Sequence, residues 1–136
     1  MTIKQLTVFL ENRTGRINEV AKILGASGIN MKAFSMAETS DFGLLRLIVS
    51  DVDKAVQVLR DASFAVMLTD VACISATNVP GALSGILDKL AANDIFIEYM
   101  YAFSEGVTAN IVIRTNDLDR CIGILNECQC TLIQNV

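Results

Sequence analysis

Two short stretches carry the polar chemistry of this chain. Residues 12–17 read Asn-Arg-Thr-Gly-Arg-Ile, and residues 78–83 read Asn-Val-Pro-Gly-Ala-Leu. Each places Asn three positions before Gly, after an apolar run and before an amphipathic stretch. The first turn of a helix has backbone N–H groups without internal partners and a partial positive charge. An anion fits there. Gly15 and Gly81 let a ligand approach the backbone and tolerate an unusual φ. The side-chain amide of Asn12 or Asn78 both donates and accepts. Together these groups suit a carboxylate and an ammonium held at once, as in a free α-amino acid. A phosphate suits them less, because no P-loop Lys or basic cluster accompanies them. The same residues also make an ordinary turn and helix start, and both readings stand at this point. Arg13 and Arg16 are either carboxylate ligands or solvated charges.

Other constellations are weaker. The chain has no His, which removes the commonest general base and every His-containing nucleophile pair or metal site. Cys121, Cys128 and Cys130 invite a metal reading. However, Cys121 and Cys128 fall where an earlier copy of the same pattern has Ala55 and Ala62. Those positions form an apolar helix stripe, where free Cys acts as a small core residue. Neither metal nor cofactor is expected. The pairs Asp51/Asp53 and Asp117/Asp119 sit where helices begin, and acidic residues belong there without any catalytic role. The net charge of −4, with 11 Lys and Arg spread thinly, argues against nucleic-acid binding, which needs a basic face.

Elements that position the two stretches follow from a repeat. Sliding the chain on itself until Asn12 meets Asn78 needs no gap. It also aligns Gly15 with Gly81, Leu24 with Leu90, Ile29 with Ile95 and Leu59 with Leu125, identical pairs all. The apolar pattern repeats too. Ile17, Val20, Ala21 and Leu24 match Leu83, Ile86, Leu87 and Leu90, at amphipathic-helix spacing. Two units are therefore expected, residues 1–70 and 71–136. In the first, strands are predicted at 3–11, 29–38, 43–50 and 64–70, with helices at 15–27 and 52–63. In the second, strands are predicted at 71–77, 95–104, 107–115 and 129–135, with helices at 80–92 and 117–128. Gly28 is the predicted stop of the first helix and Asp51 the cap of the second. Pro80 is placed early in the third helix and Asn116 at the cap of the fourth. A polar turn is expected at Thr39-Ser40-Asp41.

That order is βαββαβ twice. It predicts an α+β protein of two ferredoxin-like units, each an antiparallel sheet with its helices on one face. Phe64 to Asn78 holds one charged residue, Asp70, and neither Gly nor Pro, so strand should run almost straight into strand. If Met31 and Ala33 face the helices, strict alternation puts Phe34 and Met36 on the other side. The same rule groups Phe96, Met100 and Ala102 opposite Ile97, Tyr99 and Tyr101. Both sheet faces then read as apolar. The chain is 52% hydrophobic and 19% charged, with a mean hydropathy of +0.47. A small unit with two apolar sheet faces needs a cover, which predicts a homodimer or larger assembly. No apolar run approaches the ~18 residues of a membrane span. Glu11 and Arg13 break any signal-peptide layout, so a cytoplasmic location with no membrane partner is expected.

Residues 11–31 and 77–97 together resemble the ACT domain, a small regulatory module that binds amino acids. The resemblance extends over essentially the whole chain, as two ACT units. It rests on a polar residue, two variable residues with Pro favoured second, then Gly, and a helix that ends near Gly-Ile-Asn. Unit one has Asn12, Gly15 and Gly28-Ile29-Asn30, with Thr14 where Pro is usual. Unit two has Asn78, Pro80 and Gly81, with Asp94-Ile95-Phe96 at the helix end. The resemblance implies a non-catalytic amino-acid-binding regulator, coupled to a partner such as an enzyme of amino-acid metabolism. An alternative is a protein-interaction subunit of such an enzyme, whose loops are only turns. The resemblance also implies composite sites, in which the loop of one unit faces the start of the second strand of another. Asn78, Val79, Pro80, Gly81, Ala82 and Leu83 would face Asn30, Met31 and Lys32. Asn12, Arg13, Thr14, Gly15, Arg16 and Ile17 would face Phe96, Ile97 and Glu98.

Overall fold

The computed structural model of the chain describes residues 2–39, 41–128 and 130–134. One compact unit comprises Lys4–Thr69, and a second is built on the chain from Asp70 onward. The elements are β1 (Ile3–Glu11), α1 (Arg16–Ala26), β2 (Met31–Glu38), β3 (Phe42–Val49), α2 (Val52–Asp61), β4 (Ala65–Thr77), α3 (Ala82–Ala92), β5 (Ile97–Glu105), β6 (Thr108–Thr115), α4 (Leu118–Glu127) and β7 (Thr131–Leu132). In the first unit the strand order is β2-β3-β1-β4, and in the second β5-β6-β4-β7. Each is a ferredoxin-like sheet with both helices on one face. The strands expected at 64–70 and 71–77 form a single strand, β4, because nothing between them breaks an extended backbone. Of the strand expected at 129–135, Thr131–Leu132 pairs with β4. Positions 129 and 135 lie outside the described residues, as do Ser40 of the expected turn and the terminal Met1 and Val136.

The repeat holds in three dimensions. Leu6 pairs with Leu47, and their counterparts Ala72 and Ile113 pair in the same register. Side chains on the helix-facing side of each sheet make the core. In the first unit these include Leu6, Val8, Leu10, Leu45 and Leu47, packed against Val20 and Leu24 of α1 and Leu59 of α2. In the second they include Ile74, Ile111 and Ile113, packed against Leu90 of α3 and Leu125 of α4. Each such side chain, once fully buried, contributes roughly 1.5–3 kcal/mol.

Helix ends follow local chemistry. Asp51 caps α2 by accepting from the Lys54 amide, and Asp117 caps α4 by accepting from the Arg120 amide. Asn116 is therefore not the cap. Its Oδ1 accepts instead from the Phe96 amide at 3.1 Å. Pro80 lies in the turn before α3 rather than inside the helix. At the end of α1, Gly28 takes φ +72° and lets the Ile29 amide reach the Leu24 carbonyl at 2.9 Å. Asp94 does the same after α3, at φ +57°, with Ile95 reaching Leu90 at 3.0 Å. A left-handed residue other than Gly costs roughly 1–2 kcal/mol, somewhat less for Asp. Asp94→Gly should raise stability by about 0.5–1 kcal/mol, after the extra freedom of Gly in the unfolded chain is subtracted. A urea midpoint that rises with an unchanged slope checks this.

Strict alternation fails in the second strand of each unit. Met31 pairs with Val49 but Ala33 with Ile48, so Lys32 forms a β-bulge with no residue opposite. Ile97 pairs with Thr115 but Tyr99 with Arg114, which puts the same bulge at Glu98. One extra residue inverts every later side chain. Phe34 and Met36 therefore lie opposite Leu47 and Leu45, on the helix-facing side. Ala33 faces away, and Ile97 shares the core side with Met100 and Ala102. Both expected groupings are corrected by this bulge. The reverse faces differ from expectation as well. They carry polar side chains among the apolar ones: Gln5 and Thr7 beside Ala33 and Ile48 on the first sheet, and Asn110 beside Val71, Cys73 and Val112 on the second.

Thr115 is 1% exposed. Among the described residues its hydroxyl has no full hydrogen-bond partner, only the weak one offered by the neighbouring Cys121 thiol. Its counterpart in the first core is Val49. A buried hydroxyl without a good partner loses its hydration for little return. Thr115→Val should stabilise by about 1 kcal/mol, read as a higher unfolding midpoint.

Candidate functional site

The loops open the helices α1 and α3, and these two starts differ from the others. Gly15 and Gly81 occupy the N-cap positions with φ +92° and +88°, and no side chain caps either helix. Acidic side chains cap α2 and α4, while no side chain meets the first-turn amides of α1 and α3; in α3 the Ala82 amide donates to the Val79 carbonyl at 3.3 Å, and the next amides of the turn remain for an outside acceptor. A Cβ at Gly15 or Gly81 would meet nothing within 4 Å. Glycine is needed there for its φ, not for lack of room. Asn12 and Asn78 do not cap. The Asn78 amide donates to the Val107 carbonyl at 3.0 Å, and among the described residues neither Asn side chain has a hydrogen-bond partner.

Beside the second loop lies a cavity of about 320 Å³. Its rim is Thr77, Asn78 and Val79 with Ala82 and Leu83 of the first turn of α3. Its floor is the helix-facing side of the sheet, through Ala76, Ala102, Ala109 and Ile111, with Met100 and Tyr101 beside them. Beside the first loop is a recess of about 600 Å³, lined by Asn12, Arg13, Thr14, Met36 and Glu38. The two loops thus sit on different surroundings, one apolar and one charged.

The sequence-derived site residues divide accordingly. Asn78, Val79, Ala82 and Leu83 line the cavity, with Pro80 and Gly81 in the turn behind them. Asn12, Arg13 and Thr14 line the recess, whereas Gly15, Arg16 and Ile17 do not. Asn30, Met31, Phe96 and Ile97 line neither. Asn30 exchanges hydrogen bonds with Ser50, and Met31 and Ile97 pack on the cores. Arg16 is committed within its own unit. Its guanidinium lies 4.3 Å from the centre of the Phe64 ring, and it pairs with Glu19 at 2.6 Å. Its side chain is 13% exposed, so it is not an ordinary solvated charge. Arg13 is exposed and lies 3.3 Å from Glu11.

Met36, Glu38, Met100, Ala102 and Ala109 were not legible as site residues. The bulge had left Met36 assigned to the wrong face, and an alanine carries no chemical signal. Only comparison across the repeat distinguishes them. The four cysteines are free thiols. Burial pushes the Cys121 and Cys130 thiols up from their ordinary range, which disfavours the nucleophilic thiolate. Among the described residues no group of His, Cys, Asp or Glu is arranged to hold a metal ion. No helix there is long and apolar enough to cross a membrane.

Two ferredoxin-like units, each with a helix start that no side chain caps behind an Asn-x-x-Gly loop, define a tandem of like units. A family model described as the ACT domain pair matches residues 1–135, and the chain belongs to that family. Protein BT0572 from Bacteroides thetaiotaomicron is 50% identical. Its crystal structure superimposes with a TM-score of 0.93, over 98% of this chain and 92% of that one. The ligand-free regulatory subunit of aspartate kinase from Thermus thermophilus shares the fold at 14% identity and a TM-score of 0.66, over 91% and 90%. The corresponding subunit from Thermus flavus does so at 15% and 0.62, over 91% and 90%. No curated protein matches the chain.

Proposed function

We propose that this chain binds a free amino acid non-covalently and regulates a partner by doing so, without catalysing a reaction. The observation that carries the reading is the start of α3. There, uncapped amides behind a left-handed Gly81, and an Asn78 side chain without a partner among the described residues, border a 320 Å³ cavity. The amides suit a carboxylate, and the Asn78 side-chain carbonyl oxygen suits an ammonium. The loop at Asn12 is the second proposed site. In an assembly of two copies a facing ACT unit would complete them. Asn30 and Met31 would oppose the second loop, and Phe96 and Ile97 the first.

Regulation follows from linkage. A ligand that bridges two halves of a site favours the arrangement in which both halves meet. Phe34 and Met36 are exposed on β2, an edge strand of its unit. They support a homodimer. The same apolar edge also favours the alternative, an interaction subunit of an enzyme of amino-acid metabolism that needs no ligand. Four free thiols fit the reducing cytoplasm. The test is a thermal-shift screen of all twenty amino acids on the intact chain. A ligand at ~100 times its Kd should stabilise by ~2.7 kcal/mol. If none shifts the midpoint, the interaction-subunit reading takes its place. Light scattering at micromolar concentration should give twice the 14.7 kDa chain mass.

A further inference from the structure

We propose that the cavity beside Asn78 selects an amino acid with an uncharged aliphatic or thioether side chain, and that the recess at the first loop lacks the apolar floor to do the same. The proposal rests on the amino-acid-binding reading above and adds to it the class of ligand. The two units share one register, so each cavity residue has a counterpart in the first. Ala76 stands where the first unit has Leu10, Ala102 where it has Met36, and Ala82 where it has Arg16. In the first unit this space is occupied. Leu10 is buried in the core, Met36 Cε lies 3.3 Å from where a Cβ on Gly43 would stand, and Arg16 lies on Phe64. In the second unit all three side chains are cut back to methyl groups. Ala109 in place of Gly43 returns only one methyl. What remains is a cavity of about 320 Å³ where the first unit holds a leucine and a methionine, at the small end of the ~300–1,000 Å³ range of ligand pockets.

The chemistry of the walls narrows the class further. Among the described residues no Lys, Arg, Asp or Glu lines the cavity. A charged ligand side chain would leave water there without a counter-charge, which is strongly unfavourable. An aliphatic chain instead gains close packing against Met100 and Ile111. The polar groups are confined to the rim, at Asn78 and the start of α3, where the ligand's own carboxylate and ammonium would sit. A single cavity therefore separates the part common to all amino acids from the part that differs.

Calorimetric titration of the intact chain with leucine, methionine, alanine, aspartate and lysine tests this. Leucine or methionine should bind at least ~10-fold more tightly than alanine, since one methylene in such a pocket is worth ~10–200-fold. Aspartate and lysine should show no binding at this site. Ala102→Met, which restores the first unit's own residue, should lower leucine and methionine affinity by more than tenfold, with the circular dichroism spectrum and unfolding midpoint preserved. If aspartate or lysine binds while leucine and methionine do not, the side-chain inference falls and amino-acid binding survives. A folded Ala102→Met variant with unchanged leucine affinity also overturns the inference. If no amino acid binds at all, both readings fall. The ranking on the unaltered chain decides the matter even if the variant does not fold.

Discussion

Replacing Leu90 by alanine should lower stability by about 2–5 kcal/mol, the cost of removing a core leucine whose site cannot collapse. Leu90 is 1% exposed and packs in the second core against the sheet. Its carbonyl also accepts from the Ile95 amide and so closes the end of α3. The residue is thus held by both its packing and its backbone, and neighbours have little freedom to fill the void. Native proteins hold only ~5–15 kcal/mol in reserve, so the loss is a large fraction of the total. Because α3 carries Ala82 and Leu83 at the cavity, ligand response should weaken with it. Urea denaturation measures the change. A loss below ~1 kcal/mol would mean that the core repacks around the truncation, contrary to the close contacts of a rigid site.

Gly81→Val should be the most damaging change at the loop itself, at roughly 1–3 kcal/mol. A φ of +88° is open to glycine and closed to a β-branched side chain. Since a Cβ would touch nothing within 4 Å, the cost comes from the backbone alone. The chain must either bear it or move the first turn of α3 away. In the second case the rim amides no longer point at the cavity, and amino-acid stabilisation disappears while the core persists. Gly81→Asn provides the control, because Asn enters the left-handed region more readily. The expected order of midpoints is wild type, then Asn, then Val. Equal midpoints for all three would contradict the backbone conformation at Gly81.

Much of the fold was legible in the sequence because the repeat has no gap. Once Leu24 and Leu90 share a position, the helices around them follow from spacing, and the remaining elements align by offset. Where expectation and structure part, a local competitor decided. Asn116 and Asp117 are both good caps, and the helix begins after the second because the first is engaged by Phe96. Phe34, Met36 and Ile97 were placed on the wrong faces because alternation cannot see a bulge. Arg16 looked like a ligand or a solvated charge, whereas its fate depends on Phe64, which is remote in the sequence. The site was half legible. Asn78 and Gly81 announce themselves by type and spacing, but Ala76, Ala82 and Ala102 matter for what they lack.

The paired bulges have a consequence for solubility. β2 and β5 are the free edges of their sheets, and a flat free edge invites endless side-by-side addition of further strands. At Lys32 and Glu98 each edge loses its regular ladder and presents a charge at the same place. A bulge also twists the edge away from a flat template. A chain with so apolar a composition thus keeps Phe34 and Met36 exposed while resisting growth into filaments.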